Sequence, residues 1–166
     1  MKAAILVEDQ YQVLEVWYPY LRLREAGIET VLVGPEKKEY KSKEGYPALA
    51  EAAIKNASAD DFDAVVIPGG YAPDILRRYK EVNDFVSAMD NKGKLVAAIC
   101  HAGWVLASAG VLKGKKATCF SAIKDDVINA GAHYEDREVV VDGNLITSRN
   151  PYDLPAFCRE IIKSLK

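Results

Sequence analysis

The sequence predicts an α/β fold with one mostly parallel, doubly wound sheet and helices on both of its faces. Segments of strand length alternate with segments of helical composition for most of the chain, as they do in doubly wound proteins. Two of the strand-length segments, Ala64–Ile67 and Leu95–Ile99, contain no polar residue, which is typical of strands buried on both faces. The 166 residues contain no internal repeat, linker or low-complexity segment. We therefore expect residues 1–166 to form a single domain.

The composition is that of an ordinary globular protein. Apolar residues make up 49% of the chain and charged residues 28%. The formal net charge is -2, without a cluster of Lys and Arg, so specific nucleic-acid binding is not expected. No apolar run approaches membrane-spanning length, and the chain enters a strand pattern at Met1 without the basic region of an export signal. These features predict a cytoplasmic protein that has no membrane partner.

Cysteine usage indicates free thiols. The chain has three cysteines, Cys100, Cys119 and Cys158, and their spacing is not that of a metal site. A sparse, odd set in a chain without an export signal is typical of a reducing compartment. We predict neither a metal nor another cofactor.

Eight strands are expected from apolar runs or from alternation between turn residues. Asp142-Gly143-Asn144 is a strong hairpin turn between the last two of them. The charged segment 36–44 lacks apolar periodicity and is expected to be solvated. Segment 46–54 is ambiguous, and we favour a short strand that forms a hairpin with the end of the charged segment. The eight strands are Ala3–Val7, Ile28–Val33, Ala64–Ile67, Leu95–Ile99, Lys116–Cys119, His133–Glu135, Val139–Val141 and Leu145–Thr147.

Six helices are expected between and after these strands. Proline or aspartate at the start and glycine after the end mark several of their boundaries. Asp74 follows Pro73 and would cap the second helix, and Asp153 would cap the last one. The helices are Leu14–Glu25, Asp74–Tyr79, Glu81–Met89, His101–Ala109, Ile123–Asn129 and a C-terminal helix that starts after Asp153.

The first helix has one face that looks apolar. Leu14, Trp17 and Leu21 share this face, with Tyr18 at its margin. We expect this face to pack on the sheet. Glu15 lies one position away from it, so the pattern favours a solvated glutamate at that position.

Cys100 lies where a buried strand passes directly into a helix. Almost no residues separate Ile99 from the helix that starts at His101, so the turn must be sharp and its apex strained. Such a turn lifts the Cys100 side chain above the sheet, beside the positive end of the helix. We therefore expect a nucleophilic thiol with a lowered pKa. The alternative is a buried core cysteine, which is the common fate of a free cysteine.

Three further groups could serve such a nucleophile. His101 could act as base or acid, or only end the turn. The Pro68-Gly69-Gly70 turn lets the backbone approach a bound oxygen closely, so N–H groups of Gly70 and His101 could form an oxyanion site. If Glu15 tips toward the sheet end, burial would raise its pKa and keep it protonated, so that it could donate to the thiolate.

Other polar residues carry weaker indications. Asp74 needs no role beyond capping. Cys119 and Cys158 are interpreted as core residues, and His133 as a surface residue. Arg149 is either a surface charge or a cation that lines the site, and the sequence leaves both open.

The sequence resembles the PfpI family of intracellular cysteine peptidases, within the superfamily of the parkinsonism-associated deglycase. The combination of Pro68-Gly69-Gly70 with the Cys100-His101 elbow is specific, and the similarity runs nearly end to end. Further matches are Ala109-Gly110-Val111-Leu112-Lys113-Gly114-Lys115, Val139-Val140-Val141-Asp142-Gly143-Asn144, Thr147-Ser148-Arg149, and Glu15 with Tyr18-Pro19 after it.

This resemblance implies a flavodoxin-like three-layer sandwich with a small β-hairpin extension. It also implies Cys100 as nucleophile, His101 as its partner and Glu15 as the carboxyl that touches the sulfur. In peptidase-like relatives an acidic residue at the position of Asp74 reaches across from a neighbouring subunit, and the proteins assemble as dimers and as hexamers built from three dimers. The activities implied are peptide hydrolysis and deglycase or glyoxalase chemistry on methylglyoxal- or glyoxal-derived adducts of thiols, amines or nucleotides.

The sequence departs from the family pattern around the expected pocket. Gln12 stands where relatives often carry a carboxylate, and Phe120 stands where they often carry tyrosine. Trp104 places a large aromatic side chain near the mouth. Two alternatives to a hydrolase stay open: a stress sensor or holdase chaperone in which Cys100 oxidises to a sulfinate beside Glu15, and a flavin-binding module, which only the fold suggests.

Overall fold

A seven-stranded sheet forms the centre of the computed structural model, which describes residues 1–166. Its strand order is β10-β11-β7-β6-β1-β2-β5, and two separate two-stranded sheets, β3-β4 and β8-β9, lie outside it. The strands are β1 (Lys2–Leu6), β2 (Glu29–Gly34), β3 (Glu39–Lys41), β4 (Pro47–Leu49), β5 (Ala52–Ala53), β6 (Ala64–Ile67), β7 (Leu95–Ile99), β8 (Lys116–Ala117), β9 (His133–Tyr134), β10 (Val140–Asp142) and β11 (Leu145–Ser148).

Six α-helices surround the sheet, and five short 3₁₀ turns join the elements. The helices are α1 (Val13–Glu25), α2 (Ala72–Leu76), α3 (Lys80–Asn91), α4 (Gly103–Ser108), α5 (Lys124–Asn129) and α6 (Leu154–Ser164). The 3₁₀ turns are Ile54–Asn56, Ala59–Asp61, Cys100–Ala102, Ser121–Ile123 and Pro151–Asp153. No helix combines the length and the apolar character that a membrane crossing requires.

The predicted mostly parallel, doubly wound sheet is confirmed. Every pairing in the central sheet is parallel except β10 with the edge-proximal β11, which is antiparallel. The chain runs from β1 to β2 in one direction across the sheet and from β6 to β7 in the other. Because such crossovers are right-handed, α1 and α3 cover opposite faces. α1 packs with α6, whereas α3 packs with α4.

The central strands are buried because helices cover both faces. β1, β6 and β7 contain only apolar side chains after Lys2, and nearly all of these are buried, as the sequence predicted for Ala64–Ile67 and Leu95–Ile99. The carboxyl ends of these three strands lie side by side, since β1 pairs with β6 and β6 pairs with β7. The loops that leave these ends therefore meet at one edge of the sheet.

The first helix buries a different face from the one that was predicted. α1 buries Glu15, Val16, Pro19 and Leu23. The predicted core residues are largely outside: Leu14 is 52% exposed, Leu21 62% and Tyr18 36%. The prediction was wrong because a glutamate and a proline occupy the buried stripe at four-residue spacing, and neither contributes to an apolar periodicity.

The predicted hairpin around segment 46–54 is present as β3 and β4, which pair antiparallel. The charged segment before it is less solvated than expected, because Tyr40 and Ser42 are buried within it. An aromatic cluster fixes the hairpin to the body of the protein: the Tyr11 hydroxyl donates to the Tyr46 carbonyl at 2.7 Å, and the Trp17 indole N–H donates to the Tyr11 hydroxyl at 3.3 Å.

Neither predicted aspartate cap forms its capping hydrogen bond. α2 starts at Ala72 after an N-cap at Tyr71, so Asp74 lies inside the first turn. Its carboxylate pairs with Arg78, one helical turn later. Asp153 does occupy the N-cap position of α6, but its side chain makes no capping bond. It binds Arg149 instead, because a bidentate guanidinium is a stronger partner for a carboxylate than a helix N–H.

Candidate active site

Three loops meet at the carboxyl ends of β1, β6 and β7. The Gln12 N–H donates to the Gly69 carbonyl at 3.2 Å, and the Tyr71 N–H donates to the Gln10 carbonyl at 2.9 Å. These bonds join the loop after β1 to the loop after β6. The elbow after β7 completes the group, since β7 lies directly beside β6.

Cys100 occupies the sharp elbow that the sequence indicated. Its φ is 62°, and Gln10 is the other non-glycine residue with positive φ. A side chain in this left-handed region costs free energy, and the flanking elements hold it there: β7 ends at Ile99 and a 3₁₀ turn begins at Cys100 itself. The side chain is 7% exposed, so the sulfur is recessed.

A cavity of about 250 Å³ opens above the sulfur. Cys100 and Glu15 line it together with four other residues that the sequence singled out, and with three that it did not. The full lining is Gln12, Glu15, Lys43, Gly70, Tyr71, Cys100, His101, Phe120 and Pro151. The recessed thiol therefore lines the same cavity as Glu15 and His101. Cys119 lines a different cavity, and Cys158 lines none.

Glu15 lies beneath this cavity and not in solvent. Its side chain is fully buried, and its Oε2 accepts a hydrogen bond from the Gly69 N–H at 2.7 Å. Its Oε1 is buried without a conventional hydrogen-bond partner. Burial raises the Glu15 pKa to about 7, against the lowering effects of the Gly69 N–H and the Cys100 side chain. The pattern-based interpretation of a solvated glutamate was thus wrong.

Gln12 sets the position of Glu15. It is the N-cap of α1, and its Oε1 accepts from the Leu14 N–H at 2.6 Å and from the Glu15 N–H at 3.1 Å. The amide therefore starts the helix at the point that turns the Glu15 side chain toward Gly69.

The Cys100 sulfur contacts the neighbouring imidazole and two backbone amides. His101 Nδ1 lies 3.2 Å from Sγ, and the N–H groups of Gly70 and His101 donate toward the sulfur and lower its pKa. Burial and the negative charge of an ionised Glu15 act in the opposite direction and raise the Cys100 pKa to about 12. The prediction of a lowered Cys100 pKa is therefore wrong for the resting site. The pKa is raised because the sulfur is recessed and a carboxyl lies beneath it, and the helix that follows is short.

The raised pKa of Cys100 depends on whether Glu15 is protonated. With a pKa of about 7, Glu15 is largely protonated in mildly acidic solution, and its charge then no longer opposes thiolate formation. The protonated carboxyl can also donate a hydrogen bond to the sulfur. The two groups thus compete for one proton.

The two glycines before Tyr71 differ in what their amides do. The Gly69 N–H donates to Glu15, so this amide holds the carboxyl and is not an oxyanion donor. The Gly70 N–H faces the sulfur. A Cβ on Gly69 would lie 2.6 Å from the Cys100 Cβ, and a Cβ on Gly70 would lie 2.5 Å from the Gln10 carbonyl oxygen. Neither position tolerates a side chain without displacement.

Aromatic rings surround the His101 imidazole. Phe120 stacks on it with ring centroids 4.9 Å apart, and Tyr71 lies at 6.5 Å and is 62% exposed. Trp104 meets it edge-on at 5.2 Å and donates its indole N–H to Asp126 at 2.9 Å. Burial, and next the charge of Lys43, lower the His101 pKa, so the imidazole is neutral at pH 7.

Two residues that the sequence linked to the site lie outside the cavity. Asp74 is on α2 and pairs with Arg78. Arg149 donates to Asp153 at 2.9 Å and to Asp136 at 2.9 Å, and these hydrogen bonds raise its pKa. It lines a separate cavity beyond Phe120, so it does not reach Cys100. The interpretation of Arg149 as a cation that lines the Cys100 site is therefore wrong, and its interpretation as a simple surface charge is incomplete, because it is half-buried and pairs with Asp136 and Asp153.

Three cavity residues were given no role from the sequence: Lys43, Tyr71 and Pro151. Lys43 lies in the segment that was expected to be solvated, and nothing in its neighbourhood distinguishes it from other lysines. Tyr71 had a detectable signal, because it directly follows the Pro68-Gly69-Gly70 turn. No group of three or more His, Cys, Asp or Glu side chains is close enough to hold a metal ion.

Comparisons with known proteins relate nearly the whole chain to one protein family. The model of the DJ-1/PfpI family matches residues 1–164. "Deglycase PfpI" of Pyrococcus furiosus is 44% identical over 166 residues, covering 100% of both chains. "Putative cysteine protease YraA" of Bacillus subtilis is 44% identical, covering 99% of this chain and 98% of that protein.

A solved structure shows the same fold in a larger protein. It is a two-domain protein from Anabaena variabilis with DJ-1/ThiJ/PfpI-like and ferritin-like domains. The TM-score is 0.97 at 46% identity, and the match covers 99% of this chain and 48% of that one. The present chain therefore corresponds to about half of that protein.

Proposed function

Because the chain belongs to the DJ-1/PfpI family, we propose that it is a cysteine-dependent hydrolase with Cys100 as the nucleophile. Its substrates in this proposal are peptides, or methylglyoxal- or glyoxal-modified thiols, amines or nucleotides. The names of its relatives, deglycase and cysteine protease, support this range. The observation that carries the proposal is a recessed sulfur that faces an open cavity, two backbone N–H groups and a neutral imidazole at 3.2 Å.

The first step is attack of sulfur on an electrophilic carbon. His101 Nδ1 takes the thiol proton, which requires the neutral imidazole that the lowered His101 pKa provides. The sulfur–carbon bond forms, and the carbonyl π electrons move to oxygen. In this proposal the N–H groups of Gly70 and His101, which donate toward the sulfur in the resting site, donate to the developing oxyanion.

The second step releases the leaving group, and water completes the reaction. In peptide hydrolysis the imidazolium returns its proton to the departing amine, which leaves an acyl thioester on Cys100. Water then adds to the thioester carbonyl, His101 accepts its proton, and the thiol is regenerated. A methylglyoxal hemithioacetal first releases its thiol and the free aldehyde, and the Cys100 sulfur adds to the aldehyde carbon. Transfer of a proton from that carbon to the neighbouring carbonyl carbon gives a lactoyl thioester, and water hydrolyses it to lactate and the free Cys100 thiol.

Assembly is part of the proposal. Asp74 does not line the cavity of its own subunit and pairs with Arg78, so in this proposal it supports His101 from a neighbouring subunit. The apolar residues Leu14, Tyr18 and Leu21 are exposed along α1, which favours a homo-oligomer because such a stripe is costly in water.

The test compares wild type with Cys100→Ser and Cys119→Ser. Turnover of a fluorogenic peptide and of the hemithioacetal of methylglyoxal with a thiol is followed for each protein. We expect Cys100→Ser to lose turnover by at least about a thousandfold. Cys119→Ser should keep it, because Cys119 is buried outside the cavity. Equal turnover in Cys100→Ser and wild type would refute the nucleophile.

A second candidate function is oxidation sensing, favoured by the unpartnered Glu15 Oε1 near the sulfur. Two molecules of peroxide would convert the thiol to a sulfinic acid and release two molecules of water. A protonated Glu15 would then donate to a sulfinate oxygen. Wild-type protein without turnover, but with a gain of two oxygen atoms at Cys100 in mild peroxide, would favour sensing over hydrolysis.

A further inference from the structure

We propose that Lys43 makes this cavity selective for substrates with an anionic oxygen group, a carboxylate or a phosphate, close to the carbon that Cys100 attacks. The inference rests on the proposed function and names the substrate class within it. It assigns the binding role to a residue from the β3–β4 hairpin, which contributes no other side chain to the cavity.

The hairpin places Lys43 by several fixed contacts. The Lys43 N–H donates to the Tyr11 carbonyl at 3.1 Å, and the Gln10 N–H donates to the Lys41 carbonyl at 2.7 Å. The preceding Ser42 is buried, and its hydroxyl accepts from the N–H groups of Glu44 and Tyr46 at 3.1 and 3.0 Å. The backbone at Lys43 is therefore held against the loop that carries Gln12.

The Lys43 ammonium has no counter-ion. No carboxylate lies within 4.0 Å of it, although eleven other ion pairs occur on the surface of this protein. It also makes no hydrogen bond to another side chain or carbonyl. Around the cavity it is the one lysine or arginine. An unpaired cation at the rim of a concave site attracts an anion more strongly than an already paired one does.

The charge of Lys43 acts on the reacting groups themselves. It lowers the pKa of Glu15 and the pKa of His101, so its charge acts on two residues that line the cavity. With the imidazole neutral and Glu15 competing for a proton, Lys43 is the permanent charge there. A neutral substrate gains nothing from it, whereas an anionic group on the substrate replaces the missing counter-ion.

The size of the cavity restricts the ligand. About 250 Å³ is below the usual range of drug-sized pockets, and the stacked Phe120 and Tyr71 rings beside His101 narrow the approach. The proposal therefore concerns small anionic carbonyl adducts or the acidic end of a peptide.

Two alkylating reagents that differ in charge test the inference. Iodoacetate is an anion and iodoacetamide is neutral, and both form a carbon–sulfur bond at Cys100 with loss of iodide. The ratio of their rates cancels changes in thiol reactivity, because both need the same thiolate. Peptide mass spectrometry assigns the adduct to Cys100, and the ratio is normalised to that of free N-acetylcysteine.

We expect Lys43→Met to lower the iodoacetate-to-iodoacetamide ratio by about fivefold, the scale of one partly exposed charge pair. Lys43→Glu should lower it further, and Lys43→Arg should retain it. Added salt should reduce the ratio in wild type and in Lys43→Arg, but not in Lys43→Met. Lys41→Met is the matched control, because Lys41 is exposed on the same hairpin and does not line the cavity. An unchanged ratio in Lys43→Met would overturn the inference.

Turnover provides the second arm. Hemithioacetals of methylglyoxal with N-acetylcysteine and with N-acetylcysteine amide differ only in the carboxylate, and 2-mercaptoethylphosphonate supplies a phosphate-like counterpart. We expect Lys43→Met to raise KM for the two anionic adducts and to leave the amide adduct unchanged. Equal KM changes for all three would contradict the inference. Absence of turnover in wild type would contradict the proposed function, while the alkylation ratio would still decide the role of Lys43.

Discussion

Gly69 is the glycine that contacts both Cys100 and Glu15. Its amide binds Glu15 Oε2, and the space where a Cβ would point is filled by Cys100 and Glu15. A residue that looks like part of a flexible turn thus joins the two reacting groups of the site. Glycine is needed here for close approach and not for its φ.

Gly69→Ala should displace Cys100 or Glu15, because its Cβ would lie 2.6 Å from an atom of each. We expect a loss of about 1–3 kcal/mol in the free energy of unfolding, the usual cost of overpacking. We also expect at least a tenfold change in the rate of Cys100 alkylation. Urea unfolding and mass-resolved alkylation measure these two effects.

Gly110→Ala is the matched control. Gly110 has φ of 74° with open space around the position of a Cβ, so alanine would cost only the backbone strain, roughly 1 kcal/mol. Cys100 alkylation should not change in that variant. If Gly69→Ala behaves like Gly110→Ala, the close contacts at Gly69 do not matter to the site.

At the residue scale, the sequence predicted Cys100, His101 and Gly70 in their observed places because a strand–helix elbow and a glycine turn are local features. Glu15 could not be placed by periodicity, since its burial depends on a contact with Gly69, 54 residues away. Lys43 was missed for the same reason: only the folded hairpin brings it to Cys100.

Helix α1 exposes an apolar stripe on one side and buries a carboxyl on the other. The stripe consists of Leu14, Tyr18 and Leu21, and the buried side carries Glu15. The apolar pattern was real, but its assignment to the core was wrong. An apolar stripe on a helix indicates a contact surface. That contact can be with another subunit as well as with the sheet of the same chain.

We expect the double variant Leu14→Glu/Leu21→Glu to shift the protein to the mass of a single chain at micromolar concentration. Two like charges in a closed apolar contact carry a large desolvation cost. Light scattering after size exclusion measures the mass. Because Asp74 would then have no neighbour, turnover should fall as well.

Val141→Glu is the control for this change, since Val141 is 44% exposed on β10, far from α1 in the sheet order. It should leave the mass of the assembly unchanged. If the double α1 variant keeps the mass of the wild-type assembly, the apolar stripe is not part of an interface between subunits.

For the molecule as a whole, the buried Glu15 makes folding depend on pH. Burial raises its pKa from 4.5 to about 7, so between these values the folded protein holds a proton that the unfolded chain has lost. The stabilisation from protonated Glu15 is thus fully present below about pH 4.5 and is lost as pH rises through 7. At 1.36 kcal/mol per pH unit, the loss reaches about 3 kcal/mol.

Wild type should therefore lose about 3 kcal/mol relative to Glu15→Gln between pH 4.5 and pH 8. The difference between the two proteins isolates this group from the others that titrate. Urea unfolding at several pH values measures it. Glu81→Gln, at an exposed glutamate in the first turn of α3, should follow wild type throughout. A constant difference between Glu15→Gln and wild type would show that Glu15 titrates normally.

The sequence predicted the whole-molecule architecture well, because buried parallel strands such as Ala64–Ile67 leave an uninterrupted apolar signal. It predicted the segment 36–44 poorly. There the charged Lys41 separates the buried residues Tyr40 and Ser42. The Tyr40 ring packs against Gly34 of β2, and Ser42 forms a bridge with Tyr11 in the loop after β1. Local composition carries no trace of such contacts.

The two tryptophans lie beside two different parts of the molecule, the β3–β4 hairpin and the His101 imidazole. Trp17 donates to Tyr11 at the base of the hairpin, and Trp104 touches the imidazole of His101. The protein therefore carries one intrinsic fluorophore that senses the attachment of the hairpin and another that senses the charge state of the ring beside the thiol. Replacing one tryptophan by phenylalanine leaves only the emission of the other. Attachment of the β3–β4 hairpin and protonation of His101 can then be followed separately by fluorescence, without an added label.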